Sequence, residues 1–329
     1  MNAPESSGAG TSAQAVWRRV SAALPDNLIV YVGFLLIVAF FAITLQDRGF
    51  LTTDNVANIA RQTAMVSIMA FGMTFVLSAG EIDLSIGSTV ALSAMVVAVL
   101  LRESNMVFAI VGAIGAGLII GLVNGLITTK VRIPSFIVTL GMMTILVGLA
   151  RIITDLEPVP ITNKTYVNLF GAGDLGPIPS LLVWTFIFLV IFHIIYRHTP
   201  FGRQVLATGG NKIAAMFSGI NTDRTKIAVL MMSAGTAAFA GMLYAGRLQG
   251  ARYTLGEADL LTVIAATVIG GTSMFGGKGS IIGALMGSLL MGVLNNGLLL
   301  MGLSVSEQLV ARGVIIILAV ALSLREARS

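Results

Sequence analysis

Ser78-Ala79-Gly80-Glu81-Ile82-Asp83-Leu84-Ser85-Ile86-Gly87 sets two carboxylates between two apolar stretches, 62–80 and 84–101. Each stretch is close to the roughly 20 residues that a helix needs to cross the hydrocarbon of a bilayer. Carboxylates are costly in lipid, so Glu81 and Asp83 mark either a turn at the membrane surface or a functional polar site. In the first reading Asp83 caps the next helix and accepts from the amide of Ser85 or Ile86. In the second, Asp83 and Ser85 line a pathway for a polar solute.

Outward from this break, charge-poor stretches recur to both ends of the chain: 28–45, 106–129, 133–150, 180–196, 227–246, 260–277, 280–300 and 308–324. With the first two they make ten candidate spans. The span at 62–80 is expected to begin earlier, near Asn55, with Asn58 and Arg61 at its mouth. The stretch 28–45 is longer than the apolar core of a usual signal peptide, and it reads as an uncleaved first helix. The fold class is therefore an all-α integral membrane protein of about ten transmembrane helices. A polar tail, 1–26, precedes a single transmembrane domain, 27–329.

Composition agrees. Of the 329 residues 56% are hydrophobic and 11% charged, against roughly 25% charged in a soluble domain. The net charge of +5 does not point to nucleic acid, because the basic residues sit between apolar segments. Cys is absent, which excludes a disulfide framework and a thiolate metal site. His193 and His198 are the only histidines, too few for a His-rich metal centre. No cofactor, metal or catalytic residue is expected.

An even helix number puts both termini on one side. If that side is cytoplasmic, the inner segments hold twelve of the twenty Lys and Arg and the outer ones seven, with Arg312 inside a helix. The positive-inside rule then favours both termini in the cytoplasm. The Pro-rich loop 154–179 lies outside and the basic loop 197–226 inside.

Two Gly-containing breaks, at 78–87 and at Gly276-Gly277-Lys278-Gly279-Ser280-Ile281-Ile282-Gly283, suggest that helices two to five and seven to ten form an inverted repeat, a common transporter plan. The second break does not make a P-loop: that motif needs Gly where Thr272 stands and Ser or Thr where Gly279 stands. Gly117, Gly121 and Gly125, spaced by four, read as a helix-packing stripe. Asn58, Gln62, Asn124, Thr139, Asn295 and Asn296 are polar within apolar helices and must face protein or water. Interhelical hydrogen bonding and pathway lining both fit them; Asn58, Gln62, Asp83, Ser85, Asn124, Thr139 and Asn295 are the candidate pathway set. Arg312 either snorkels outward or pairs with Glu307.

In the loop 197–226, Asn211 suits an N-cap, Lys212 to Ser218 give two helical turns, and Gly219 can end them. A short amphipathic helix on the cytoplasmic face is expected. The 200–220 loop, the 80–87 break, Ile133-Pro134-Ser135-Phe136-Ile137-Val138-Thr139-Leu140-Gly141 and the 264–283 stretch together resemble the ribose-type family of ABC importer permeases. The resemblance runs from Leu51 onward. The tail falls outside it, and Glu81 stands where the family more often has a small or apolar residue.

The resemblance implies a permease that moves a small sugar, such as a pentose, hexose or related polyol, across the inner membrane. It implies two permease copies, most simply a homodimer, a separate cytoplasmic ATP-binding cassette ATPase, and a periplasmic or lipid-anchored sugar-binding protein. The 209–219 helix would dock on the ATPase, with Gly202, Arg203, Ala207, Gly209, Gly210, Asn211, Ala214, Ala215, Ser218 and Gly219 forming the coupling segment. Small Ala214 and Ala215 would let that helix sit close against its partner. Two other readings stay open at this point. One is an ion-coupled secondary transporter with Glu81 or Asp83 carrying the proton; the other is an ABC permease for another small polar solute, such as branched-chain amino acids.

Overall fold

The structure is a computed structural model that describes residues 28–176 and 178–326. The tail 1–26 and Arg328, both used in the charge count, lie outside these residues. Thirteen helices carry the described fold: α1 (Leu28–Thr44), α2 (Thr53–Ser78), α3 (Ile86–Glu103), α4 (Met106–Leu126), α5 (Ser135–Ile152), α6 (Lys164–Phe170), α7 (Ser180–His198), α8 (Pro200–Gly210), α9 (Lys212–Phe217), α10 (Thr222–Arg247), α11 (Asp259–Ile269), α12 (Ile281–Leu300) and α13 (Val305–Glu326). A π-helical turn, Ile127–Val131, extends α4. Side-chain caps start many of them: Thr52 accepts from Asn55 N, Asn105 from Phe108 N, Asn221 from Arg224 N and Ser280 from Gly283 N.

Among the described residues, seven helices are long and apolar enough to cross a membrane: α2, α3, α4 with its π turn, α5, α7, α10 and α12. The other three expected spans fall on α1, α11 and α13. The largest departure from the sequence reading is α11. Residues 260–277 read as one span, yet the helix stops at Ile269. Its eleven residues cover only about 16 Å. Gly271, Gly276 and Gly277 then take positive φ, and 270–280 continues as irregular chain with Gly270 and Thr272 buried, Phe275 and Lys278 exposed and the rest half-buried. Such backbone is tolerated in a membrane protein where protein, not lipid, surrounds it.

Helices α2 and α10 form the inner pair. The apolar window of α2 is 83% buried, against 28% in α4, α5 and α7, which therefore leave most of their surface uncovered by this chain. The glycine stripe is the seam between α4 and α10, as expected. A Cβ at Gly121 would stand 2.5 Å from Met231 Cα, and one at Gly125 2.8 Å from Ile227 Cα. Helix α12 uses Gly283 and Gly287 in the same way against Gly270 and Ala266.

The packing exchanges as an inverted repeat requires. Helix α4 lies on α10 as α12 lies on α2; α3 lies on α10 as α11 lies on α2; α3 meets α5 as α11 meets α13. The two glycine breaks are not equivalent points of that repeat. The first joins α2 to α3 and the second joins α11 to α12. They resemble each other because they meet in space.

That meeting is at the end of the molecule formed by 79–85, 127–134, 199–221 and 270–280. Gly277 N donates to Ser78 O at 2.9 Å. A Cβ at Gly209 would be 2.9 Å from both the Ala79 carbonyl carbon and Gly277 N. Backbone thus meets backbone at Gly80, Gly209 and Gly276–Gly277. At the opposite end, strand Val159–Pro160 pairs antiparallel with Gly250–Ala251, and Arg61 meets Asp174 at 3.1 Å. The loop 154–179 is held there, on the face opposite α8 and α9.

Candidate functional site

The proposed pathway residues divide into two groups. Asp83, Ser85, Asn124 and Thr139 come together around the 79–85 break, and all four are fully buried. Leaving a helix frees backbone amides, and these side chains answer them. Ile82 N donates to Ser135 Oγ and Leu84 N to Thr139 Oγ1, both at 3.0 Å. Ser85 N donates to Asp83 Oδ1 at 2.9 Å, the bond foreseen, although it closes the turn before α3 and α3 itself has no side-chain cap. Asp83 also accepts from Ser85 Oγ at 2.6 Å and from Ser233 Oγ of α10 at 2.7 Å. Asn124 Nδ2 donates to Ser85 Oγ at 3.0 Å, and only its Oδ1 is left without a partner in this group. The cluster therefore pins α3, α4, α5 and α10 to the break, and none of its side chains reaches the cavity described next.

Gln62 and Asn295 line that cavity, a space of about 350 Å³ walled by α2, α10, α11, α12 and α13. With them stand Thr63, Tyr244, Arg247, Asp259, Thr262, Ser288 and Arg312. Tyr244 donates to Asp259 Oδ2 at 2.7 Å. Arg247 reaches Asn58 Oδ1 at 3.4 Å and Arg61 O at 3.5 Å, which places Asn58 at the rim. Asn295 Oδ1 and Arg312 Nε are buried without hydrogen-bond partners. Arg312 neither snorkels nor pairs with Glu307; Glu307 instead accepts from Ser304 N and Oγ at 2.7 Å and closes the start of α13. Helices of both repeat halves wall the cavity. Its forked donors and amide acceptors suit a hydroxyl-rich ligand.

The 200–220 loop folds as two helices. Thr199 caps α8 with Pro200 in its first turn, and Asn211 caps α9 by accepting from Ala214 N at 3.0 Å. Gly219, φ 81°, ends α9 in the left-handed conformation. Gly202 is buried against the Tyr196 carbonyl, and Asn211 N donates to Ala207 O. Arg203, Gly210, Ala214 and Ser218 are exposed.

One expectation fails here. Ala215 is 4% exposed, so it packs inside this chain and cannot offer a small surface to a partner. The exposed face of α9 is Ile213, Met216 and Phe217, the last 90% exposed. The sequence reading passed over these three, although apolar residues in a basic, membrane-flanking loop were the available signal. It also passed over Tyr244, which falls within the apolar stretch 227–246, and Arg247 and Asp259, which sit just outside apolar stretches and read as loop residues. Glu81, the departure from the family pattern, forms a buried ion pair with Lys226 of α10.

A family model described as the branched-chain amino acid transport system / permease component matches residues 55–320. The ribose import permease protein RbsC of Bacillus subtilis (strain 168) is 38% identical over 294 residues, covering 89% of this chain and 91% of that protein. The ribose import permease protein RbsC of Escherichia coli (strain K12) is 40% identical, covering 87% and 90%. The L-arabinose ABC transporter permease protein AraH of Azospirillum brasilense is 37% identical, covering 88% and 85%. No solved structure matches the chain.

Proposed function

The chain belongs to the ribose-type ABC importer permease family, and from that premise we propose that it carries a small sugar through the cavity around Gln62 and Asn295. It is a multi-pass transport subunit. Its curated relatives import ribose and arabinose by name. The observation that carries the reading is that 89% of the chain aligns with 91% of a ribose import permease at 38% identity. No observation favours proton coupling: Asp83 is bound by three donors and Glu81 by Lys226.

ATP hydrolysis falls to a partner ATPase in this reading, and a sugar-binding protein delivers the substrate. Two copies of the chain form the permease core in the inner membrane. Both termini and the α8–α9 end face the cytoplasm, supported by the excess of Lys and Arg in the segments at that end. Single cysteines at Lys164→Cys and Lys212→Cys test the sidedness, since the chain has no other Cys. An impermeant reagent added outside should label only the first; labelling of only the second reverses the orientation.

The coupling segment runs from Gly202 to Gly219, and α9 docks on the ATPase through Ile213, Met216 and Phe217. Exposed aromatics of this kind dominate interface energetics, at about 2 kcal/mol or more each. Phe217→Ser should leave the fold intact and weaken ATPase association about thirtyfold, with uptake lost in parallel. Uptake and association at wild-type strength would move the docking face elsewhere.

The test of the whole reading is reconstitution of the chain with its ATPase in vesicles. Ribose or arabinose should enter with ATP and the binding protein, and leucine should not. Sugar uptake driven by a proton gradient without the ATPase would overturn it.

A further inference from the structure

A second cavity, of about 400 Å³, opens at the α8–α9 end, apart from the candidate pathway and sharing only Met216 with the docking face. Its walls are the π-helical turn, residues 132–134, α9 and the first turns of α10. Five charged side chains line it: Arg132, Lys212 and Lys226 against Glu81 and Asp223. Lys226 is taken by Glu81. Arg132 and Lys212 have no carboxylate within ion-pair distance among the described residues. Thr128 also lines the cavity, is 8% exposed, and its hydroxyl has no partner. The Thr128 hydroxyl is a buried donor without a partner, and the exposed Arg132 and Lys212 stand on the same space with one carboxylate, Asp223, left over from the Glu81–Lys226 pair.

The flanks of this cavity are apolar. Val131, before the turn into α5, is 63% exposed, and Phe136 and Ile137, after it, are 48% and 49% exposed. They continue the surfaces of α4 and α5 that this chain leaves uncovered. A ligand that meets every one of these features carries several anionic oxygens at one end and hydrocarbon at the other. Guanidinium and ammonium groups bind phosphate oxygens through charge-assisted hydrogen bonds. Basic pockets between membrane helices on the cytoplasmic side suit anionic headgroups.

We infer that this cavity binds the phosphate of an anionic phospholipid headgroup, held by Arg132, Lys212 and the Thr128 hydroxyl. The inference rests on the proposed sidedness only for the choice of leaflet. The bound phosphate lies against the inner side of α9, with Met216 of the docking face on the same wall. Lipid occupancy therefore holds α9 in place for its partner, and the coupling step becomes sensitive to membrane charge.

The experiment measures binding apart from transport. The full-length chain, extracted from membranes, is exchanged into equal parts of phosphatidylglycerol and phosphatidylcholine and examined by native mass spectrometry. Wild type should retain phosphatidylglycerol in preference to phosphatidylcholine. Each cation removed should weaken retention about fivefold, so Arg132→Gln with Lys212→Gln should nearly abolish it. Thr128→Val, close to isosteric, should reduce it without disturbing the fold, and serves where the double variant does not yield a monodisperse protein. Inorganic phosphate is the second probe. Displacement of the lipid by millimolar phosphate supports the anion site and assigns it to a soluble phosphate; lack of displacement assigns it to the headgroup. Equal retention of the two lipids by wild type, or unchanged retention in both variants, overturns the proposal. Loss of sugar uptake with retention intact would instead count against the transport reading.

Discussion

The break at 79–85 and the cavity at Gln62–Asn295 hold the same kinds of side chain and use them oppositely. Around the break, the amides of Ile82, Leu84 and Ser85 find side-chain acceptors and each Asp83 oxygen finds a donor, which leaves only Asn124 Oδ1 of the four side chains without a partner. Around the cavity, Asn295 Oδ1 and Arg312 Nε keep their hydrogen-bonding capacity, and a space of about 350 Å³ separates them from anything that could use it. A polar residue in a membrane helix costs free energy in either place. The difference is what repays it: the protein's own groups at the break and, in the proposed pathway, a solute at the cavity.

The sharpest way to break this contrast is Asp83→Val. It strands Ser85 N, Ser85 Oγ and Ser233 Oγ in the interior, and each unsatisfied donor costs about 1–3 kcal/mol. Folded protein recovered from detergent should fall steeply, with a much lower melting temperature by size-exclusion after heating. A variant that melts like wild type but fails to transport would move Asp83 from scaffold to pathway. Asp259→Ala comes next. Its carboxylate holds Tyr244 and faces the cavity; hydrogen bonds to charged groups contribute about 1.5–3 kcal/mol. Uptake should drop tenfold or more while the melting temperature changes far less than in Asp83→Val. Asn295→Ala is the mildest. A neutral hydrogen bond to substrate contributes about 0.5–1.5 kcal/mol, so the half-saturating sugar concentration should rise about two- to tenfold with folding unchanged. If Asn295→Ala unfolds the protein and leaves the affinity of survivors intact, the cavity is scaffold too.

Much of this architecture was legible in the sequence because lipid imposes a simple rule of length and polarity. Seven of the ten expected spans, the packing role of Gly117, Gly121 and Gly125 and the capped helix at Asn211 followed from local pattern. The break was legible as a break. What stayed hidden depends on which distant segments meet. Nothing local says that Thr139 serves Leu84 N rather than a sugar, since an amide in lipid needs a partner in both cases. The end of α11 at Ile269 was hidden because the residues that follow carry no charge before Lys278, and hydropathy does not distinguish helix from uncharged irregular chain. Ala215 was misplaced because two helical turns do not reveal which side faces inward. Tyr244, Arg247 and Asp259 were missed because a site between repeat halves draws on the ends of helices, where charge is ordinary.

The glycine meeting point of Ser78, Gly209 and Gly277 carries a mechanical consequence. Most contacts between helices are cushioned by side chains that can change rotamer and absorb a small displacement. Here carbonyls, amides and α-carbons touch directly, so the joint has almost no compliance. A push of an ångström on α8 is passed undiminished to the end of α2 and to the 270–280 chain, and so to helices of both halves at once. Even one added methyl at residue 209 would act as a shim, holding the three segments apart before any force arrives.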